Sequence, residues 1–350
     1  MTMRGGTSKG AYFLAEDLPS DTAKRDRLLL SIMGSPDPVQ IDGIGGGHPL
    51  RSKVAIVSKS SSADAHVDYL FAQVGVAEPL VDTSPNCGNI LAGVGPFAIE
   101  RGLVEAQDGV TTVRVRTLNT GTLAELAVPT PGGAVTYEGP ARIDGVPGTG
   151  APIEIFFLDI AGSVCKALLP TGNVRDSIEG IAATCIDNGM PVVVMAAASF
   201  GRTGYESVAA LDADAELKAA LERVRLKAGA LMGLGDVAQA VIPKMTLIAE
   251  PREGGCVATR TFIPKACHNS IGVLGAVSVA TACVLPGSVA EGIAAVSPGE
   301  RQRLSIEHPT GEFTVSLELD LSDSLPRVRR AGLMRTARAL FDGVVYGRRK

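Results

Sequence analysis

The sequence predicts an α+β fold of two related halves, each a β-structure wrapped on one buried helix. Three observations predict it. Short alternating apolar stretches recur between turn residues, as antiparallel strands do. Residues 86–102 are apolar on nearly every face up to Glu100, which suits a helix inside a core. Residues 267–278 can also be laid on residues 87–98, with Cys267 on Cys87, Asn269 on Asn89 and Gly275 on Gly95. That is the mark of an internal repeat. The joint is expected near the turn Leu169-Pro170-Thr171-Gly172-Asn173, giving halves 1–175 and 176–350.

The elements follow in order. Residues 11–14 read as a strand and 21–33 as a helix, with Ser20 or Asp21 as N-cap and Leu28, Leu29, Ile32 and Met33 apolar. A turn-rich stretch runs from Gly34 to Pro49. Strands are expected at 54–58, 66–73, 113–115, 123–128 and 153–158. The helix opened by Cys87 contains Pro96, which predicts a kink or break, and Gly102 ends it. In the second half, early strands fall in 183–195. Residues 213–231 form a helix with one stripe of Leu217, Leu221, Val224, Ala228 and Leu231. A final helix is expected near 330–341 and is free to pack back on the first half.

Composition narrows the function. Among 350 residues there are 41 Gly, no Trp and only 4% aromatics, which argues against stacking bases, sugars or flat cofactors on rings. A net charge of −4 provides no basic field for nucleic acid or an anionic membrane. The basic end, Arg348-Arg349-Lys350, reads as a solvated tail. No apolar run approaches the ~18 residues of a membrane span, and the N-terminus has no signal-peptide pattern. Six cysteines without a Cys-x-x-Cys pair suggest neither a disulfide scaffold nor structural zinc, so the reducing cytoplasm is the expected compartment. The four histidines show no metal-ligand spacing.

Four segments could carry chemistry. In Asn86-Cys87-Gly88-Asn89, a cysteine at a helix N-terminus sits by free amide groups and the positive end of the dipole. Such a place favours a thiolate and binds anions, although a packed core thiol would give the same composition. Cys165, Cys185, Cys256 and Cys283 lie in apolar or strand-like settings and read as core. The loop Gly45-Gly46-Gly47 to Ser52-Lys53 delivers a lysine to the mouth of a strand without phosphate-loop spacing, or is simply a flexible turn. Thr7 and Ser8 belong to an N-terminal donor-rich segment whose alternative is a frayed end. His268, Asn269 and Ser270 form the partner loop in the second half. His66 and His308 read as structural.

Together these motifs resemble a known family. Arg4-Gly5-Gly6-Thr7-Ser8-Lys9-Gly10, Gly34-Ser35-Pro36-Asp37-Pro38, Gln40-Ile41-Asp42-Gly43, Ser52-Lys53 and Asn86-Cys87-Gly88-Asn89 look like the PrpF-type isomerases. That family includes 2-methylaconitate isomerase, 3-methylitaconate isomerase and 4-oxalomesaconate tautomerase or Δ-isomerase. The resemblance covers most of the chain and looks strongest to the 4-oxalomesaconate branch, which implies a role in aromatic-acid degradation. It implies a diaminopimelate-epimerase-like fold with the site in a cleft, no metal or organic cofactor, and a catalytic pair falling on Lys53 and Cys87. Thr7, Ser8, Ser52, Asn86, Gly88, Asn89, His268, Asn269 and Ser270 are then expected to bind the substrate, a small unsaturated polycarboxylate. Aconitate-type substrates, a two-thiol racemase using Cys87 and Cys267, and a non-catalytic polycarboxylate-binding protein are the alternatives. A homodimer stays open; nucleic-acid and membrane partners are not expected. One departure stands out: that branch commonly has Ala-Asp-Pro-Leu-Thr where this chain has Gly47-His48-Pro49-Leu50-Arg51, which sets two potential cations beside the lysine. Gly5-Gly6, Gly45-Gly46-Gly47 and Gly88 are expected where backbone approaches the charged ligand.

Overall fold

The computed structural model describes residues 1–158, 160–323 and 326–348. The chain divides into two compact units, Met1–Leu158 with Met334–Lys350, and Asp159–Leu333. The division thus falls at 158/159, where the sequence places the joint at 175/176.

The elements of the first unit are β1 (Thr2–Gly5), β2 (Ser8–Leu14), α1 (Thr22–Met33), β3 (Lys53–Lys59), β4 (Val67–Val74), β5 (Val81–Asp82), α2 (Gly88–Glu100), β6 (Gly109–Thr117), β7 (Leu123–Thr130) and β8 (Ile153–Phe157). The second unit holds β9 (Asp176–Ile178), β10 (Ile181–Asp187), β11 (Pro191–Ala196), α3 (Val208–Ala213), α4 (Ala215–Leu231), β12 (Lys244–Ala249), β13 (Val257–Phe262), α5 (Val273–Val284), β14 (Arg301–His308) and β15 (Gly311–Asp320). Last come β16 (Arg327–Arg335) and β17 (Ala337–Phe341).

The ladders carry the repeat further than the sequence does. In the first unit the order β17, β1, β2, β3, β4, β6, β7, β8 pairs antiparallel, antiparallel, parallel, antiparallel, parallel, antiparallel, antiparallel. In the second unit the order β9 to β16 repeats the same succession. A helix enters each unit before its first parallel partner, α1 ahead of β3 and α4 ahead of β12. A second helix, α2 or α5, precedes the next parallel strand. Parallel neighbours need such crossovers, so the helices fall where the pairing demands them.

The expected helix over 330–341 does not form. Residues 327–333 pair with β15, and β17 pairs with β1. Alanine, leucine and methionine there favour helix in isolation, but ladder pairing and burial of Leu333 and Met334 override a weak propensity. Nor is α2 broken at Pro96: it runs unbroken from Gly88 to Glu100. Residues 90–98 are all buried against strands of the first unit, and that packing offsets the one backbone hydrogen bond proline removes. Arg348 is exposed, as the sequence expects, while its guanidinium pairs with Asp42 and its amide donates to Ser31 Oγ at 2.7 Å. Arg349 and Lys350 lie outside the described residues.

Strand alternation sorts the first unit's sheet into two faces. Val54, Ile56, Ala72 and Val74 pack on Leu29 and Met33 of α1. The opposite face carries Lys53, Phe71, Gln73 and Tyr12, whose hydroxyl donates to Ile90 O of α2 at 2.6 Å. Among the described residues, no helix is long and apolar enough to cross a membrane.

Candidate active site

The first unit places its site at the start of α2. Cys87 is the N-cap residue, half-buried, with extended backbone (φ −134°, ψ 99°), and no side chain caps the helix. The first amides of a helix have no intrahelical acceptor, so Gly88 and Asn89 present N–H groups at this end. By contrast α1, α3 and α4 are capped by Asp21, Ser207 and Asp214.

The hairpin joining β1 and β2 is held against that helix end. Asn89 Nδ2 donates to Thr7 Oγ1 at 3.0 Å, and Arg335 Nε donates to Asn89 Oδ1 at 3.2 Å. Glycine is required here. A Cβ on Gly5 would sit 2.3 Å from Asn89 O, and one on Gly6 2.1 Å from Asn89 Oδ1, with φ +50° at Gly6 besides. These glycines serve the approach of hairpin to helix. The N-terminus is not frayed, since β1 is paired on both sides. Ser8, 1% exposed, follows the turn, and its hydroxyl has no hydrogen-bond partner in the structure. A buried hydroxyl left so is costly unless something else satisfies it.

Lys53 opens β3 and is buried. Its Nζ donates to Gln73 Oε1 at 2.6 Å and lies 5.0 Å from the centre of the Phe71 ring. Gln73 is its directly paired neighbour on β4. Ser52 is fully buried, and its hydroxyl accepts from Gln40 Nε2 at 2.7 Å, so it braces the loop before Lys53. Gln40 also accepts from Gly47 N at 3.0 Å. The two expected extra cations point to other work. His48 Nδ1 accepts from Leu50 N at 3.1 Å within a short 3-10 turn, and Arg51 is exposed. Asn86 is exposed and donates to Thr120 Oγ1 at 2.5 Å.

Electrostatics mark the helix end from below. Tyr12 and Tyr69 are both fully buried, and burial pushes each phenol well above its usual range, with Cys87 the next cause. Tyr12 has a partner in Ile90 O; the Tyr69 hydroxyl has none. Two neutral phenols therefore lie within electrostatic reach of the cysteine.

In the second unit His268 and Asn269 are exposed and Ser270 is half-buried. His268 Nδ1 accepts from Ser270 N at 2.9 Å, and Ser270 Oγ contacts His308 Nε2 at 3.1 Å. His308, read as structural from sequence, thus belongs to this loop cluster. Cys267 is not the counterpart of Cys87. It bridges to Phe262 at the end of a tight turn, its amide donates to Asp212 Oδ1 at 2.7 Å, and it is buried in the core. Burial, with the Asp212 carboxylate adding to it, pushes its thiol up to about 11. The helix α5 starts only at Val273, with Gly272 as N-cap.

Gln73 and Arg335 are not among the residues sequence offers for the site, and Gln40 enters only within the Gln40-Ile41-Asp42-Gly43 stretch. Neither glutamine has a role legible in its residue type, and only strand register or loop closure brings them to Lys53 and Ser52. Arg335 lies in a stretch that sequence assigns to a helix. Among the described residues no group of three His, Cys, Asp or Glu side chains could hold a metal ion.

Comparison with known proteins fits this arrangement. Residues 1–348 match the family model described as PrpF protein. The chain is 59% identical over 345 residues to the 4-oxalomesaconate tautomerase of Pseudomonas putida, covering 99% of this chain and 94% of that one. It is 60% identical over 346 residues to the (4E)-oxalomesaconate Delta-isomerase of Novosphingobium sp., covering 99% and 96%. The 3-methylitaconate isomerase of Eubacterium barkeri is 34% identical over 368 residues, covering 98% and 95%. The crystal structure of a methylitaconate-delta-isomerase superposes with a TM-score of 0.86 at 34% identity, covering 98% of this chain and 93% of that one. The fold is therefore α+β and that of the methylitaconate-delta-isomerase.

Proposed function

The chain belongs to the PrpF family and is an isomerase, and on that premise we propose that it moves a proton within 4-oxalomesaconate using Lys53 and Cys87. The observation that carries this is their placement in one unit. Lys53 projects from the sheet face that packs α2, and Cys87 begins α2 beside amides with no intrahelical acceptor. Removing a proton next to a carbonyl or carboxylate spreads charge into a dienolate. A helix N-terminus is suited to hold the carboxylate or the developing oxyanion. One of the pair takes the proton from carbon, and the other returns one two carbons away or on oxygen. Thr7, Ser8, Ser52, Asn86, Gly88, Asn89, His268, Asn269 and Ser270 are the proposed substrate-binding set. Ser8 is supported by its unsatisfied buried hydroxyl, and Ser52 more as a brace than a contact.

A two-thiol racemase is disfavoured by Cys267, whose thiol is held protonated by burial beside a carboxylate. The reducing cytoplasm remains the proposed compartment, where six free thiols are maintained. The proposed ligand is a small polycarboxylate, and a second copy of the chain is the one macromolecular partner left open.

Proton NMR of 4-oxalomesaconate in D2O tests the proposal. Wild-type protein is expected to exchange the transferred proton and convert the substrate, and Lys53→Met to lose about 10²–10⁴-fold in rate. A product whose C=C has moved, with deuterium on the former vinyl carbon, marks 1,3-transfer, whereas an enol signal with deuterium only at the carbon next to the keto group marks tautomerisation. Near-full activity of Lys53→Met sinks the assignment.

A further inference from the structure

We propose that Gln73 is a positioning residue for Lys53, holding the amine in both of its charge states so that the lysine can take up and release a proton in each turnover. This rests on the reading of Lys53 as one half of the catalytic pair.

The geometry of the amide carries the argument. Gln73 Nε2 donates to Ser52 O at 2.9 Å and to Pro49 O at 3.1 Å. Both acceptors are backbone carbonyls, so a flipped amide would set oxygen against oxygen. The orientation is fixed, and Oε1 is left facing Lys53 Nζ at 2.6 Å. Strand register does the rest, because Lys53 and Gln73 are directly opposed on β3 and β4. The Lys53 amine also lies over the Phe71 ring, 5.0 Å from its centre, on the same face.

The chemistry of the partner matters as much as its place. An ammonium has three N–H donors, and a neutral amine has two with one lone pair. A carbonyl oxygen accepts an N–H from either form, so the bond survives proton transfer and the exchanging position points elsewhere. A carboxylate at the same distance would favour the ammonium and resist its deprotonation. Whether Lys53 acts as base or acid, it must pass through both forms in a cycle. Other titratable groups around it come from every packed element: Tyr12 from β2, Tyr69 from β4, Asp82 from β5, Cys87 from the start of α2, and His48 and Arg51 from the preceding turn. Asp82 is directly opposed to Gln73, but its carboxylate accepts from Ser84 N at 2.8 Å and Ser84 Oγ at 2.7 Å. His48 and Arg51 are exposed. Gln73 is the group bonded to the amine.

The test uses full-length Gln73→Glu and Gln73→Met, read in two ways. The first is the pH profile of kcat and KM on 4-oxalomesaconate. The second is the titration of the Lys53 signal in protein labelled with ¹³Cε-lysine, assigned with Lys53→Arg. In Gln73→Glu the Lys53 titration is expected to move up by about one pH unit or more. The rate limb governed by Lys53 should move with it, with KM within about 3-fold, and where that limb is the ascending one kcat at neutral pH should fall about 10-fold. An ascending limb that moves identifies Lys53 as the base, and a descending limb identifies it as the acid. Gln73→Met should move the titration down and lower kcat about 10-fold. If Gln73→Glu folds with wild-type melting and its Lys53 titration is unmoved, the proposal is overturned. Should Gln73→Glu not fold, an unmoved titration in Gln73→Met overturns it equally. The NMR titration needs no turnover. Wild-type protein inactive on the substrate, with the Lys53 shifts present, would sink the proposed function and leave the Gln73–Lys53 coupling standing.

Discussion

The starts of α2 and α5 occupy matching places in two units with the same succession of ladders, and they differ in what surrounds them. At α2 the N-cap is a half-buried cysteine, helix amides follow at once, and a hairpin of glycines is pressed against Asn89. At α5 the N-cap is Gly272, and the nearest cysteine lies back in a tight turn with its amide on Asp212. The α2 cysteine borders free amide groups. The α5-side cysteine is shut in the core beside a negative charge, which holds the thiol in its neutral form. A repeated scaffold can therefore keep its pairing while its two helix ends differ in character, because ladder geometry and helix-end electrostatics are set by different residues.

The sharpest break of this comparison is a pair of serine substitutions. Cys87→Ser is expected to lower kcat/KM about 10²–10⁴-fold, as loss of a general acid or base does, and Cys267→Ser to stay within about 3-fold. Equal, large losses in steady-state assays would make the two thiols a symmetric pair and revive the racemase. A second contrast uses glycines. Gly6→Ala places a Cβ 2.1 Å from Asn89 Oδ1 at φ +50° and should cost about 1–3 kcal/mol in denaturant melts, with a fall in activity. Gly272→Ala, at the α5 cap, meets nothing within 4 Å and should cost under about 1 kcal/mol, with activity retained. Equal costs would mean that hairpin and helix end are not held together as described.

The smallest effect is in pH. The Cys267 thiol is pushed up to about 11, so iodoacetamide labelling of its peptide should stay slow at pH 9 and rise only towards 11. Its folded value lies above the unfolded one, so its share of stability is present at neutral pH and lost as pH climbs through that window. Asp212→Asn should bring labelling to lower pH. Rapid labelling at pH 8 in the folded protein would contradict the buried, carboxylate-flanked site.

Periodicity reached β2, β3, β4, β6, β7 and β8, α1 with its Asp21 cap, and the buried helices, because alternation and all-round apolarity are local patterns. The same local logic failed at 330–341, where helix-favouring residues are claimed by distant strands. It failed again in the overlay of Cys267 on Cys87. Composition aligned the glycines, but α2 begins one residue after Cys87 and α5 six residues after Cys267. The identity of Lys53 and Cys87 as a pair came through their motifs and the resemblance those motifs carry. The resemblance could not say what each side chain touches.

The sequence by itself determined the fold class and the two-fold internal repeat, since these follow from local pattern, and it named Lys53 and Cys87 as the candidate pair through their motifs. Only the tertiary structure decided that Gln73 faces Lys53, that Gln40 braces Ser52, that Asn89 is clasped by Gly5, Gly6, Thr7 and Arg335, and that Cys267 is sealed in a core. Each of those depends on strand register or loop closure between segments remote in sequence. A shift of one residue in a strand turns its side chains to the other face, so the side-chain contacts of a site are not fixed until the ladders are.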